Sequence, residues 1–165
     1  MHYFSWPTKR GHASSAHVRW NKTIKTHKVY DTPQHIQDGQ LNYSYTIVSY
    51  HRNRSNSKKS KWTILDGEEI ACFLKSMREN WIFDKFAWGL HLTNGEILQL
   101  GISPMKEILK CAKFIRNKDD WHGYPANYIR NIYDRPHSTV LSNWRDSKII
   151  TKSQMTKILQ GKCSL

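Results

Sequence analysis

The dipeptide Asn94-Gly95 constrains this chain more than any other feature. A type I′ turn needs positive φ at both central positions, and Asn-Gly supplies it at low steric cost. Residues 86–92 alternate before it, placing Phe86, Trp88, Leu90 and Leu92 on one face. Residues 96–102 then read as the returning strand. A β-hairpin is therefore expected here.

Four further segments extend the pattern. Residues 41–51 alternate and are rich in β-formers, with Tyr43, Tyr45 and Ile47 on one face and Val48 and Tyr50 on the other. Residues 61–65 read as a short strand pairing back on it. Asp66 then reads as a helix N-cap with Glu69 as its capping-box partner. Ile70, Phe73, Leu74 and Met77 follow at i, i+3, i+4 and i+7, the apolar stripe of a helix that Asn80 ends. Ser103-Pro104 reads as the start of a second helix, with Ile108, Leu109, Ala112 and Ile115 as its stripe.

The resulting order, β-β-α-β-β-α, predicts the α+β class: a four-stranded antiparallel sheet with helices on one face. A C-terminal helix pair follows. The first helix spans 138–147 around Val140, Leu141 and Trp144. The second is capped by Thr151 with Gln154, carries Met155, Ile158 and Leu159, and stops at Gly161. Residues 1–40 hold few aliphatics and read as a basic, partly disordered arm that orders on a partner. Residues 41–116 form the expected α+β core. Residues 117–165 comprise an ordered loop and the helix pair.

Composition excludes several classes. Leu, Ile, Val and Phe total 35 of 165 residues, just enough for one core. No apolar run approaches the ~18 residues of a membrane helix. The first residues, MHYFSWPTKRGH, contain no apolar h-region, so a secretory signal is not expected. Cys72, Cys111 and Cys163 are odd in number and lack paired spacing, which argues for a reducing, cytoplasmic compartment rather than a disulfide scaffold.

The charge narrows the choice of partner. The formal net charge is +13, distributed as +8 over residues 1–60, −2 over 61–100 and +7 over 101–165. Such a field attracts polyanions and speeds their arrival. Nucleic acid is the expected partner; an acidic protein is the alternative, with this chain as its adaptor or toxin-type counterpart. Within 52–60, RNRSNSKKS brings Arg52, Arg54, Lys58 and Lys59 into one polar loop. Lys106, Lys110 and Lys113 would form a ridge along the second helix. Seven Trp and eight Tyr, many beside a basic residue or a glycine, suit stacking on unpaired bases, which favours RNA or single strands. Trp121 is the ring proposed for that role, whereas Trp81 and Trp88 sit in apolar stretches and suit the core. In the last helix Lys152 and Lys157 face phosphates if the helix pair reads DNA.

Residues 117–137 carry the expected chemistry. Trp121-His122-Gly123-Tyr124-Pro125 would turn at Gly123 and hold His122 and Tyr124 as rigid polar tips, with Arg135 and His137 nearby. A histidine base, a second histidine as acid and an arginine on phosphate suit metal-independent RNA cleavage. The opposing reading is an ordered loop whose rings pack beneath it. The histidines lack zinc-ligand spacing, and Asp66, Glu68 and Glu69 serve better as a helix start than as a Mg²⁺ site. No Walker loop, GxGxxG, GxSxG or HExxH occurs, so no cofactor is expected. The sequence thus predicts a basic nucleic-acid-binding protein, with ribonuclease activity at His122 as the enzyme hypothesis.

Overall fold

In a computed structural model of the protein, residues 30–53, 56–162 and 165 are described. Most of the expected arm, Arg54 and Cys163 lie outside these residues. The elements are β1 (Gln34–Asp38), β2 (Leu41–Thr46), β3 (Lys61–Trp62), α1 (Asp66–Arg78), β4 (Ile82–Phe83), β5 (Phe86–Thr93), β6 (Glu96–Leu98), β7 (Gly101–Ile102), β8 (Ile108–Leu109), β9 (Cys111–Asn117), β10 (Asp120–Ala126), α2 (Ser138–Asp146) and α3 (Lys152–Leu159).

The fold is α+β. A mixed seven-stranded sheet has the order β1-β2-β10-β9-β5-β4, with β6 paired to β5. Its neighbours are antiparallel except β2 and β10, which run parallel with Ser44 opposite Asp120 and Thr46 opposite His122. A small sheet, β3-β7-β8, accompanies it. Among the described residues no helix is long and apolar enough to cross a membrane.

The hairpin turn forms as expected, with Asn94 at φ 51° and Gly95 at φ 83°, but the returning strand is shorter than 96–102: it ends at Leu98, and Gly101 and Ile102 pair with β3 and β8 instead. So does α1, whose apolar stripe is buried. Its start differs by one residue. Leu65 is the N-cap, and its N–H donates to the Glu68 carboxylate at 2.6 Å. Glu69, expected in that role, turns into the core instead. Thr151 and Gln154 cap α3 reciprocally, and Gly161 follows with φ 68°. Val140, Leu141 and Trp144 of α2 are fully buried.

The four-stranded antiparallel sheet is corrected in three places. First, β3 pairs with β7 rather than with β2. Second, the expected helix after Ser103 is a β7–β8 hairpin followed by β9. Ser103 Oγ accepts from the N–H groups of Met105 and Glu107, both at 3.1 Å, and Lys106 takes φ 66°. Strand β9 is covered on both faces, so Cys111, Ala112, Lys113 and Phe114 are all buried and no alternation survives to signal a strand. Third, the expected loop contains β10, paired to both β9 and β2. Gly123 makes no turn there. A Cβ at Gly123 would lie 2.4 Å from the Phe114 ring and 2.8 Å from the Tyr45 hydroxyl, so glycine admits both aromatics against the strand. Strand β1 adds an edge within the segment read as the arm.

Two apolar clusters sandwich the large sheet. Tyr45, Phe73, Phe114 and Trp121 meet beneath α1. Trp88, Leu90, Cys111, Leu141 and Trp144 meet between β5, β9 and the C-terminal helices. Cys72 and Cys111 are buried free thiols.

Candidate nucleic-acid interface

Strand β10 alternates cleanly. Trp121, Gly123 and Pro125 are buried, whereas Asp120, His122 and Tyr124 stand half-buried on the opposite face. Ser44 and Thr46 of β2 share that face and donate to the two Asp120 carboxylate oxygens at 2.6 and 2.7 Å. Helices α2 and α3 pack against the β4–β5 side of the sheet, which leaves this polar strip without a helix over it.

After β2 the chain makes a single 3-10 turn, Ser49–His51, that brings His51 onto the end of the strip. Its ring stacks on Tyr124 with centroids 5.3 Å apart and 16° between planes. His51 Nδ1 lies 2.8 Å from the Ser60 carbonyl oxygen. A carbonyl only accepts, so Nδ1 carries the proton. Burial pushes the His51 pKa down from 6.5 to about 4, with Lys59, Lys61 and His122 adding to the depression. The ring is therefore neutral at pH 7, with Nε2 as its basic nitrogen. Burial also lowers the His122 pKa, against the pull of Asp120.

The basic loop adjoins this strip. Lys58 and Lys59 are exposed, and Lys59 Nζ sits 5.9 Å from the centroid of the Tyr50 ring. Lys61 Nζ donates to the Tyr50 carbonyl. Arg52 has a different place. Its guanidinium donates to the Ile64 carbonyl and to the Glu69 carboxylate, and its Nε lies 3.3 Å from Asp66. Glu69 is fully buried and also accepts from the Tyr45 hydroxyl at 2.8 Å. Burial pushes the Glu69 pKa up to about 7, while Arg52 and Tyr45 pull it down. Arg52 thus ties the loop to α1 from inside the protein.

The expected catalytic set divides. His122 and Tyr124 lie together on the strip. The Tyr124 hydroxyl donates to buried Asp134 at 2.7 Å, and burial together with that carboxylate raises its pKa well above the usual range. His137 does not join them. It is the N-cap of α2, accepts from the Thr139 N–H, and stacks on Phe83 with centroids 3.4 Å apart. Phe83 is on β4, three strands from β10, or roughly 14 Å at about 4.8 Å per strand. Arg135 Nη1 donates to the Leu159 carbonyl at 2.8 Å and clamps the end of α3.

The expected lysine ridge has no helix to carry it. Lys106 is exposed in the β7–β8 turn, and Lys110 edges a cavity of about 440 Å³ between β8 and residues 126–129. Lys113 is buried, donates to the Tyr133 carbonyl and lies 4.2 Å from the Phe86 ring centroid. Burial lowers its pKa. Trp121 is 6% exposed and packs in the core against Phe73, so its ring does not offer a stacking surface. Lys152 and Lys157 are exposed on α3, away from the strip.

Sequence reading missed His51, Asp120 and Asp134. A histidine directly before a basic run was the one available signal for His51. Nothing local marks Asp120 or Asp134, whose partners come from other elements. No family model, no curated protein and no solved structure matches this chain.

Proposed function

We propose that the protein binds single-stranded nucleic acid, RNA foremost, along the polar strip of β2 and β10. One observation carries this reading: the exposed Lys58–Lys59 loop adjoins half-buried Tyr124 and His122, on the part of the sheet face that α2 and α3 leave uncovered, with buried His51 stacked against Tyr124 as a support. Lysines hold phosphates without regard to sequence, and ring and polar groups beside them contact splayed bases and 2′-hydroxyls. The net charge of +13 draws such a strand in.

A second reading, RNA cleavage, rests on His122. A neutral imidazole there accepts the proton of a 2′-hydroxyl as the oxygen attacks phosphorus. The leaving 5′-oxygen then needs a proton from an acid. His51, neutral and already donating its Nδ1 proton to Ser60, is a poor source of it. Binding therefore ranks above catalysis.

The test is RNA affinity measured across a salt series. Reversing Lys58 and Lys59 to Glu weakens RNA binding several-fold and flattens the slope of log affinity against log salt. Unchanged affinity and slope would remove the loop from the interface. Failure of the wild-type protein to bind RNA or DNA at low salt, with capture of an acidic protein instead, would overturn the proposal.

A further inference from the structure

Strand β2 begins before its neighbour does. Its first β10 partner is at Ser44, so Leu41, Asn42 and Tyr43 run past the start of β10 without one. The β9–β10 turn, residues 117–120, closes the neighbouring hairpin at this end of the sheet. A notch of about 380 Å³ remains at this end of the sheet. Tyr43, Met77 and Ile82 give it apolar walls, and Arg116, Asp119 and Asn42 give it polar groups.

Arg116 is the informative residue. Its guanidinium lies 5.7 Å from the centroid of the Trp121 ring, which backs it from the core. It is exposed and makes no ion pair among the described residues. A planar cation held over an indole is ordered yet has its hydrogen-bonding edge uncommitted. Such a plane is a stacking surface for a nucleobase. Asp119 is a carboxylate at the same notch, and carboxylates accept from exocyclic amino groups such as cytosine N4.

We infer that the notch between β2 and the β9–β10 turn is a pocket for one unpaired, amino-bearing nucleobase, stacked on Arg116 and read by Asp119. This rests on the single-strand reading above and adds a base preference to it. Arg116 and Trp121 lie on the α1 side of the sheet and Tyr124 on the other, so a strand that occupies both passes around this end of the sheet, about 13 Å along β10 from Tyr124 at about 3.3 Å per residue. The lysine loop then supplies affinity without sequence information, and the notch supplies discrimination.

The test is calorimetry on the full chain with CMP, UMP and ribose 5-phosphate. CMP is expected to bind at least about tenfold more tightly than the other two. Arg116→Ala and Asp119→Asn each remove that preference; both residues are exposed, and unchanged melting confirms the fold. Equal binding of all three ligands, or CMP affinity unaffected by both substitutions, overturns the pocket. An abasic RNA of equal length separates this from the wider reading. If abasic and base-bearing RNA bind alike, the strip binds nucleic acid and the pocket is wrong. If CMP binds but no RNA does, the pocket stands and the single-strand reading fails.

Discussion

His51 and Tyr124 stack nearly parallel, 16° apart, although one ends a 3-10 turn after β2 and the other stands on β10. The pair joins the basic loop to the sheet. Beneath it, Tyr124 donates to Asp134, which also accepts from the Asn127 N–H at 3.2 Å. Loop, sheet and the segment leading to α2 are thus linked through three side chains, His51, Tyr124 and Asp134.

Tyr124→Phe keeps the stack and removes the donor to Asp134. A buried acceptor left short of a partner costs about 1–3 kcal/mol. Urea unfolding at pH 7 should show that loss. A variant as stable as wild type would mean that the hydroxyl contributes nothing to the fold.

His51 makes stability depend on pH. Its pKa in the folded state, about 4, lies below the ordinary value of 6.5. The unfolded chain therefore takes up the proton first as pH falls. The contribution of His51 is constant above pH 6.5 and is lost between pH 6.5 and 4. The full shift corresponds to about 3 kcal/mol at 1.36 kcal/mol per pH unit. His51→Gln should remove this portion of the decline. Parallel stability-against-pH curves for the two proteins would refute the assignment.

Arg52 compensates a carboxylate that has no access to water. Arg52→Met leaves Glu69 and its Tyr45 partner without the cation. Removing one member of a buried pair costs about 3–5 kcal/mol. The double variant Arg52→Met with Glu69→Gln should recover part of the loss. If the double variant is less stable than the single one, the repulsive burial of Glu69 is not the cause.

His122 and His137 separate by role. His137→Ala loses an N-cap of α2, about 1 kcal/mol of stability, and leaves any RNA cleavage intact. His122→Ala abolishes cleavage, if the protein cleaves, and leaves the fold unchanged. Equal loss of cleavage in both variants would contradict the distance between them.

Local signals were legible wherever one residue type answers one local need. Asn94-Gly95 takes positive φ, Thr151 and Gln154 satisfy the free amides of α3, and the stripe from Ile70 to Met77 repeats at the helical period. Strand β9 was illegible for the opposite reason. Burial on both faces erases alternation, and Ile108, Leu109, Ala112 and Ile115 happen to fall at helical spacing.

The sequence by itself determined the α+β class, the hairpin, α1, the C-terminal helix pair and the basic loop. Each depends on residues close together in the chain. Only the tertiary structure decided which charges are free. Arg52, Lys113 and Arg135 look alike in sequence to Lys58 and Lys59, yet their partners are Glu69, the Tyr133 carbonyl and the Leu159 carbonyl. The parallel pairing of β2 with β10 likewise placed His51 beside Tyr124 and moved His137 to the far edge. Long-range register chooses such neighbours, and no short window of sequence encodes it.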